Sequence, residues 1–215
     1  VIYETFEKKY DLRRLLKPYR EYKKVKKDIF DDPSTLFATA LKHLNITIDY
    51  EQKRLEDIPT KGPLVVIANH PMGGIDGIIL YDLLLKQRKD VKAIVSRFLY
   101  EAIPELQDYS YPLDVSDFKS IKSLENQVAM HKAKQHVADG GCLIVFPAGE
   151  VSTAEYPWRT AFDPKWKTTA ADIAMRTNAK ILPIYFKTQN SKTFQATGML
   201  IKNKRPAWVK KLGYA

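Results

Sequence analysis

The chain has 215 residues, 45% of them hydrophobic and 28% charged, which is length and apolar content for one domain with a sizeable core. A single cysteine, Cys142, excludes an intramolecular disulfide framework and fits a reducing, cytoplasmic setting, and no run reaches the roughly eighteen uninterrupted apolar residues of a membrane-spanning helix. The net charge of +10 sits at the ends: residues 1–27 hold ten Lys/Arg against four Asp/Glu, residues 28–190 nineteen against twenty-one, and residues 191–215 six against none. Basic ends on a near-neutral body point to an anionic partner, either lipid headgroups or nucleic acid. A nucleic-acid groove needs basic residues on the central fold as well, which argues against nucleic acid.

Between Lys8 and Lys27 basic residues alternate with apolar ones, and Leu12, Leu15, Leu16 and Tyr19 share one helical face. Such a segment can lie in a bilayer interface or pack as a solvated helix on its own domain. Asp32-Pro33 then starts a short helix through Leu36, Ala40 and Leu44, and Asn45 to Tyr50 alternates as a strand does. These features divide the chain into a basic helical segment, 1–45, expected to dock on an anionic membrane, and a main domain, 46–215.

Leu64 to Ala68 is a continuous apolar run bounded by turn residues, the pattern of a buried strand. It is followed by Asn69-His70-Pro71-Met72-Gly73-Gly74-Ile75-Asp76 and an apolar helix to about Leu85. Val91 to Val95 is a second strand ending at Ser96-Arg97, and Leu99 to Leu113 has mixed helix and loop character. Ser120 to Ala138 has helical spacing, with Ile121, Leu124 and Val128 on one face, and Asp139-Gly140-Gly141 closes it. Cys142 to Phe146 is another strand, opening into Pro147-Ala148-Gly149-Glu150-Val151-Ser152; a helix over 167–177 and a strand from Ile181 to Phe186 follow. The alternation predicts an α/β domain, a mixed but mostly parallel sheet flanked by helices.

His70 and Asp76 flank a glycine turn that can bring carboxylate to imidazole. An acid on one ring nitrogen fixes the tautomer and leaves the other nitrogen as a base, while Gly73, Gly74 and the helix start offer N–H groups to an oxyanion. The competing reading is that Asp76 merely caps the helix. His43, His131 and His136 are scattered, the last two five apart, so no metal site is expected. Trp158, Trp166 and Trp208 lie beside Arg159, Lys165, Lys167, Lys210 and Lys211, either as an interfacial belt or as packing.

Asn69-His70 with Asp76, then Arg97, then Phe146 to Ser152, then Ile181-Leu182-Pro183-Ile184 resemble, in order, the four blocks of the glycerolipid acyltransferase family, lysophosphatidate type. The resemblance covers roughly residues 60–190. It implies transfer of a fatty acyl group from acyl-CoA or acyl carrier protein to a lysolipid hydroxyl, without metal or bound cofactor, at the cytoplasmic face of a membrane. It makes His70 the general base and Asp76 its orienting acid. Arg97, Gly73, Gly74, Phe146, Pro147, Gly149, Glu150 and Ser152 become the substrate-binding residues. A thiolate leaves readily, so one base with oxyanion stabilisation suffices.

Two departures mark this chain. Five residues rather than the usual four separate His70 from Asp76, and the common Phe-Pro-Glu-Gly-Thr-Arg pattern reads Phe-Pro-Ala-Gly-Glu-Val, with Val151 in place of the arginine. Both are similar to the hemolysin-like branch, which includes enzymes completing ornithine and glycine lipids. An acceptor without a phosphate explains Val151; alternatively Arg159 supplies the guanidinium for an ordinary phosphate acceptor. A non-enzymatic basic module binding nucleic acid or membrane is the alternative from outside the enzymes.

Overall fold

The computed structural model describes residues 35–114, 123–154, 156, 158–192 and 195. The basic segment 8–27 and the tail from 196 lie outside them, and so does Trp208. The chain divides into two compact units, up to Gln52 and from Lys53 onward.

In the first unit α1, Thr35–His43, buries Leu36, Phe37 and Leu41. The strand expected over 45–50 is absent. Asn45 adopts φ 53°, its N–H bonds the Lys42 carbonyl at 3.1 Å, and the Ile46 N–H bonds the Leu41 carbonyl at 3.0 Å. That pair of bonds around a left-handed residue is a Schellman helix stop, so the alternating residues begin as a cap rather than a strand. A short helix, α2, Gln52–Glu56, follows.

Among its described residues the second unit has five strands: β1 Leu64–Ala68, β2 Val91–Ser96, β3 Ser110–Leu113, β4 Cys142–Val145 and β5 Lys180–Ile184. Their order is β3-β2-β4-β1-β5, and every pairing is parallel. The helices are α3 Gly74–Leu85, α4 Arg97–Ala102, α5 Leu124–Ala138 and α6 Thr169–Thr177, with a 3-10 turn over Pro104–Tyr109. The α/β expectation is met. The mixed sheet resolves, among the described strands, into a wholly parallel one, whose central β4 is buried at every residue.

Two corrections concern the edge. The mixed stretch Leu99–Leu113 contains a strand, β3, that Pro112 disguises; Pro112 is tolerated because β3 is the edge of the sheet among the described strands. The face of α5 that packs inward is Asn126, Ala129, Ala133 and Val137, whereas Leu124 is 73% exposed and Val128 is exposed too. Small side chains let α5 approach the sheet closely. Ala133 and Val137 join Val65, Leu143, Val145, Ala170, Ile173 and Ala174 in one core cluster, and the alternate residues Leu64, Val66 and Ile144 serve the other face.

Strand order fixes where a site can form. The connection from β1 runs through α3 across β4 to β2, and the connection from β4 runs through α6 across β1 to β5, so two neighbouring strands send their chains in opposite directions. The crevice outside their carboxyl ends is the topological switch point, where open α/β sheets place ligands.

The opposite, amino end of the sheet is closed by Arg88. Its guanidinium donates to the carbonyls of Pro59, Gly62 and Gly140 at 2.8–3.1 Å and grips both carboxylate oxygens of Asp90 at 2.6 Å. Burial disfavours the Asp90 charge, but Arg88 overrides it and holds the carboxyl below its usual range. His136 Nε2 bonds the carbonyls of Asp90 and Cys142 nearby. Burial pushes the Cys142 thiol up to about 12, so it is not a thiolate nucleophile at neutral pH.

Candidate functional site

The site begins where β1 runs out. Pairing of β1 with β5 ends at Ala68 opposite Ile184, and the Asn69 amide then takes both backbone groups of Phe186, accepting its N–H at 2.7 Å and donating to its carbonyl at 3.0 Å. A side chain thus extends the ladder by one rung and fixes the direction in which His70 leaves the strand.

His70 is held through backbone and ring. Its N–H donates to Asp163 Oδ1 at 3.1 Å, its carbonyl accepts the Ser152 N–H at 2.8 Å, and its ring stacks on Phe146 at 4.0 Å between centroids. The ring nitrogen Nδ1 lies 3.0 Å from Asp76 Oδ2. The same oxygen accepts the Met72 N–H at 2.9 Å. Asp76 is fully buried, and among the described residues its Oδ1 has no hydrogen-bond partner. The carboxylate therefore serves the turn and the imidazole instead of capping α3, whose N-cap Gly73 carries no side-chain bond.

Gly73 makes the turn possible. It adopts φ 72°, which disfavours any side chain, and a Cβ there would stand 3.2 Å from Cγ2 of Val151. Val151 is buried. The glycine-rich turn and the valine, the two features that set this chain apart in sequence, are therefore in contact. Gly74, at the start of α3, is open, with nothing near its missing Cβ.

From β4, Phe146 supplies the ring under His70 and Pro147 accepts the Lys167 N–H at 2.9 Å. Gly149, with φ 68°, turns the chain where a Cβ would strike Lys167 Nζ at 2.6 Å. Glu150 is exposed on this turn. Ser152 is buried, and its hydroxyl donates to Asp163 Oδ1, so both of its donors are spent inside the wall of the site.

Arg97 comes from a different strand end, that of β2. It opens α4 behind the Ser96 cap and lines a 740 Å³ groove with Lys92, Tyr111, Val128 and Lys132; neither the dyad nor Phe146–Ser152 lines it. Arg159 lies with its guanidinium 5.3 Å from the Tyr156 ring centroid. Among the described residues no three His, Cys, Asp or Glu side chains group as metal ligands.

Sequence reasoning missed Asp163. Its carboxylate gathers the His70 N–H, the Ser152 hydroxyl and, at 2.8 Å on Oδ2, the Trp166 indole N–H. It lies 93 residues from His70 in an unpatterned loop, and only the chain's return through the crevice brings them together. Asn190, which donates to the Pro71 carbonyl at 2.8 Å, is similarly remote.

Comparison with known proteins places the chain in a family. A family model described as Acyltransferase matches residues 49–187. The chain is 28% identical to a lyso-glycine lipid O-acyltransferase of Phocaeicola vulgatus over 145 residues, 67% of this chain and 49% of that protein. A protein of the same name from Bacteroides thetaiotaomicron is 28% identical over 144 residues, 67% of this chain and 50% of that protein. The chain thus spans about half the length of these relatives. No solved structure matches. Since the family model covers more than half its length, the chain belongs to the acyltransferase family.

Proposed function

We propose that this protein is an O-acyltransferase that moves a fatty acyl group from an acyl thioester, acyl-CoA or acyl carrier protein, to the hydroxyl of an amino-acid-type lysolipid. The reading is carried by the dyad: a buried Asp76 carboxylate on Nδ1 of a histidine at the switch point of a parallel sheet. With Nδ1–H donated to Asp76, Nε2 holds the lone pair. It takes the proton of the acceptor hydroxyl as the oxygen attacks the thioester carbonyl. The tetrahedral intermediate then collapses with the thiolate as leaving group, and the imidazolium returns the proton to sulfur. Asp76 stabilises the imidazolium between these steps. The backbone N–H groups of Gly73 and Gly74, at the start of α3, suit the oxyanion.

Asp163 and Ser152 act as positioning residues in this scheme, since they reach only the His70 backbone. Val151 favours an acceptor whose headgroup is not a phosphate, because the position that carries a cation in the common pattern is here apolar, buried and packed on Gly73. The names of the two relatives support the same class of acceptor. The enzyme works at a membrane surface, in lipid biosynthesis, from the side where acyl thioesters are made.

The test is an acyl-transfer assay with lyso-glycine lipid and lysophosphatidate offered together, products separated by mass. Preferential acylation of the amino-acid lipid is expected. Preference for lysophosphatidate, lost on Arg159→Gln, would return the acceptor to the ordinary phosphate class, and no transfer to either would sink the assignment.

A further inference from the structure

We propose that the aromatic rim at the carboxyl end of the sheet, centred on the β4–α6 connection, is the surface by which the protein seats on a phospholipid bilayer; the inference rests on the lysolipid reading above. Among the described residues of the second unit, every exposed large aromatic side chain follows the carboxyl end of a strand. Phe98 follows β2, Tyr156, Trp158, Phe162 and Trp166 follow β4, and Tyr185 follows β5. Trp158 and Phe162 are each 72% exposed. Large rings left in water on one rim mark an interaction surface, and Trp and Tyr favour the membrane–water interface because a polar tip and an apolar body are satisfied there together.

The loop that carries most of these rings is built rather than slack. Thr153 and Phe162 form an antiparallel bridge at its neck, the Arg159 N–H bonds the Tyr156 carbonyl at 2.9 Å, and Tyr156 stacks on Trp158 at 5.2 Å. Its far side is tied to the dyad, because Asp163 holds the Trp166 indole on one oxygen and the His70 N–H on the other. A lipid acceptor entering from a bilayer under this rim would meet the imidazole without leaving the interface. The sequence over residues 146–168 holds three basic and three acidic residues, so the contact is aromatic rather than coulombic. It should therefore resist salt, unlike one made by the basic segment 8–27.

The experiment is co-sedimentation of the full chain with vesicles of phosphatidylcholine, alone or mixed with phosphatidylglycerol, at low and high salt. Partitioning onto phosphatidylcholine that survives high salt is expected, with a blue shift of tryptophan emission. The double variant Trp158→Ser/Phe162→Ser should lower the partition coefficient by at least about tenfold, given the area two rings bury. Its turnover of a water-soluble short-chain acceptor should be unchanged, which shows the fold and site intact. Tyr185→Ser, on a separate strand end, should weaken partitioning by a smaller factor and serves if the double variant fails to fold. Unchanged partitioning in both variants overturns the proposal. So does a loss confined to Lys23, Lys24, Lys26 and Lys27→Gln, or a change of oligomeric state in the rim variants with partitioning intact, which would assign the rim to a second copy. Partitioning is read without turnover, so absence of acyl transfer would defeat the activity and leave the docking surface standing.

Discussion

The two ends of the sheet each lock a carboxylate against a nitrogen-bearing side chain, and they use it in opposite ways. At the amino end Arg88 is satisfied by three carbonyls and both oxygens of Asp90, and it joins the segments entering β1, β2 and β4. At the carboxyl end Asp76 is fully buried, yet only one of its oxygens is bonded among the described residues, to the His70 imidazole and the Met72 N–H. A saturated pair has nothing left to give a ligand and serves to bind the chain to itself. A pair with unspent capacity costs stability, and such costs persist where chemistry needs them.

The largest effects should separate the two ends by kind. His70→Ala should lower acyl transfer by roughly 10²–10⁴-fold, the usual weight of a general base, while the urea midpoint moves little. Asp76→Asn keeps the shape but removes the anion, and should cost nearly as much turnover. A His70→Ala enzyme with undiminished turnover would erase the distinction at once. Arg88→Met should do the reverse. It leaves three carbonyls without their donor, at a cost of about 1–3 kcal/mol in urea unfolding, with normal turnover per folded molecule. If turnover fell and stability held, the amino end would belong to the site.

Between these extremes stands Gly73, where backbone and site meet. Gly73→Ala should cost roughly 1–3 kcal/mol from the backbone alone, since φ 72° with ψ −133° is a conformation open almost only to glycine. It should also reduce turnover, because the turn delivers Asp76. Adding Val151→Ala removes the 3.2 Å contact but not the φ 72° penalty, so only part of the loss should return. Full recovery would mean that crowding, not backbone conformation, sets the position of the acid.

What the sequence disclosed follows from the same contrast. Strands β1 and β4 are central and buried, so they are written as unbroken apolar runs, and the residues at their carboxyl ends are easy to find. Strand β3 is an edge of four residues, Ser-Tyr-Pro-Leu, where a proline is harmless and no pattern survives. The inward face of α5 is lost on a hydrophobicity reading because alanines pack it and leucine faces out. His70 and Asp76 are legible because one turn joins them. Asp163 is not, since its place depends on strand order, and strand order is a property of the whole sheet.

The smallest effect is also the one that tests the amino end without dismantling it. Asp90 has its carboxyl held below the ordinary value of 3.8, with burial opposing and Arg88 prevailing. A group whose folded pKa is depressed contributes stability above its unfolded pKa and loses it as pH falls through the folded one. Urea midpoints of the native protein should therefore decline as pH drops below about 4, over and above the decline of Asp90→Asn, whose side chain does not titrate. The Asp90 side chain is 42% exposed, so solvent screens the interaction and the difference should be modest. Equal slopes for the two proteins would mean that the carbonyls alone hold Arg88, and that the ion pair at this end adds no pH-dependent stability.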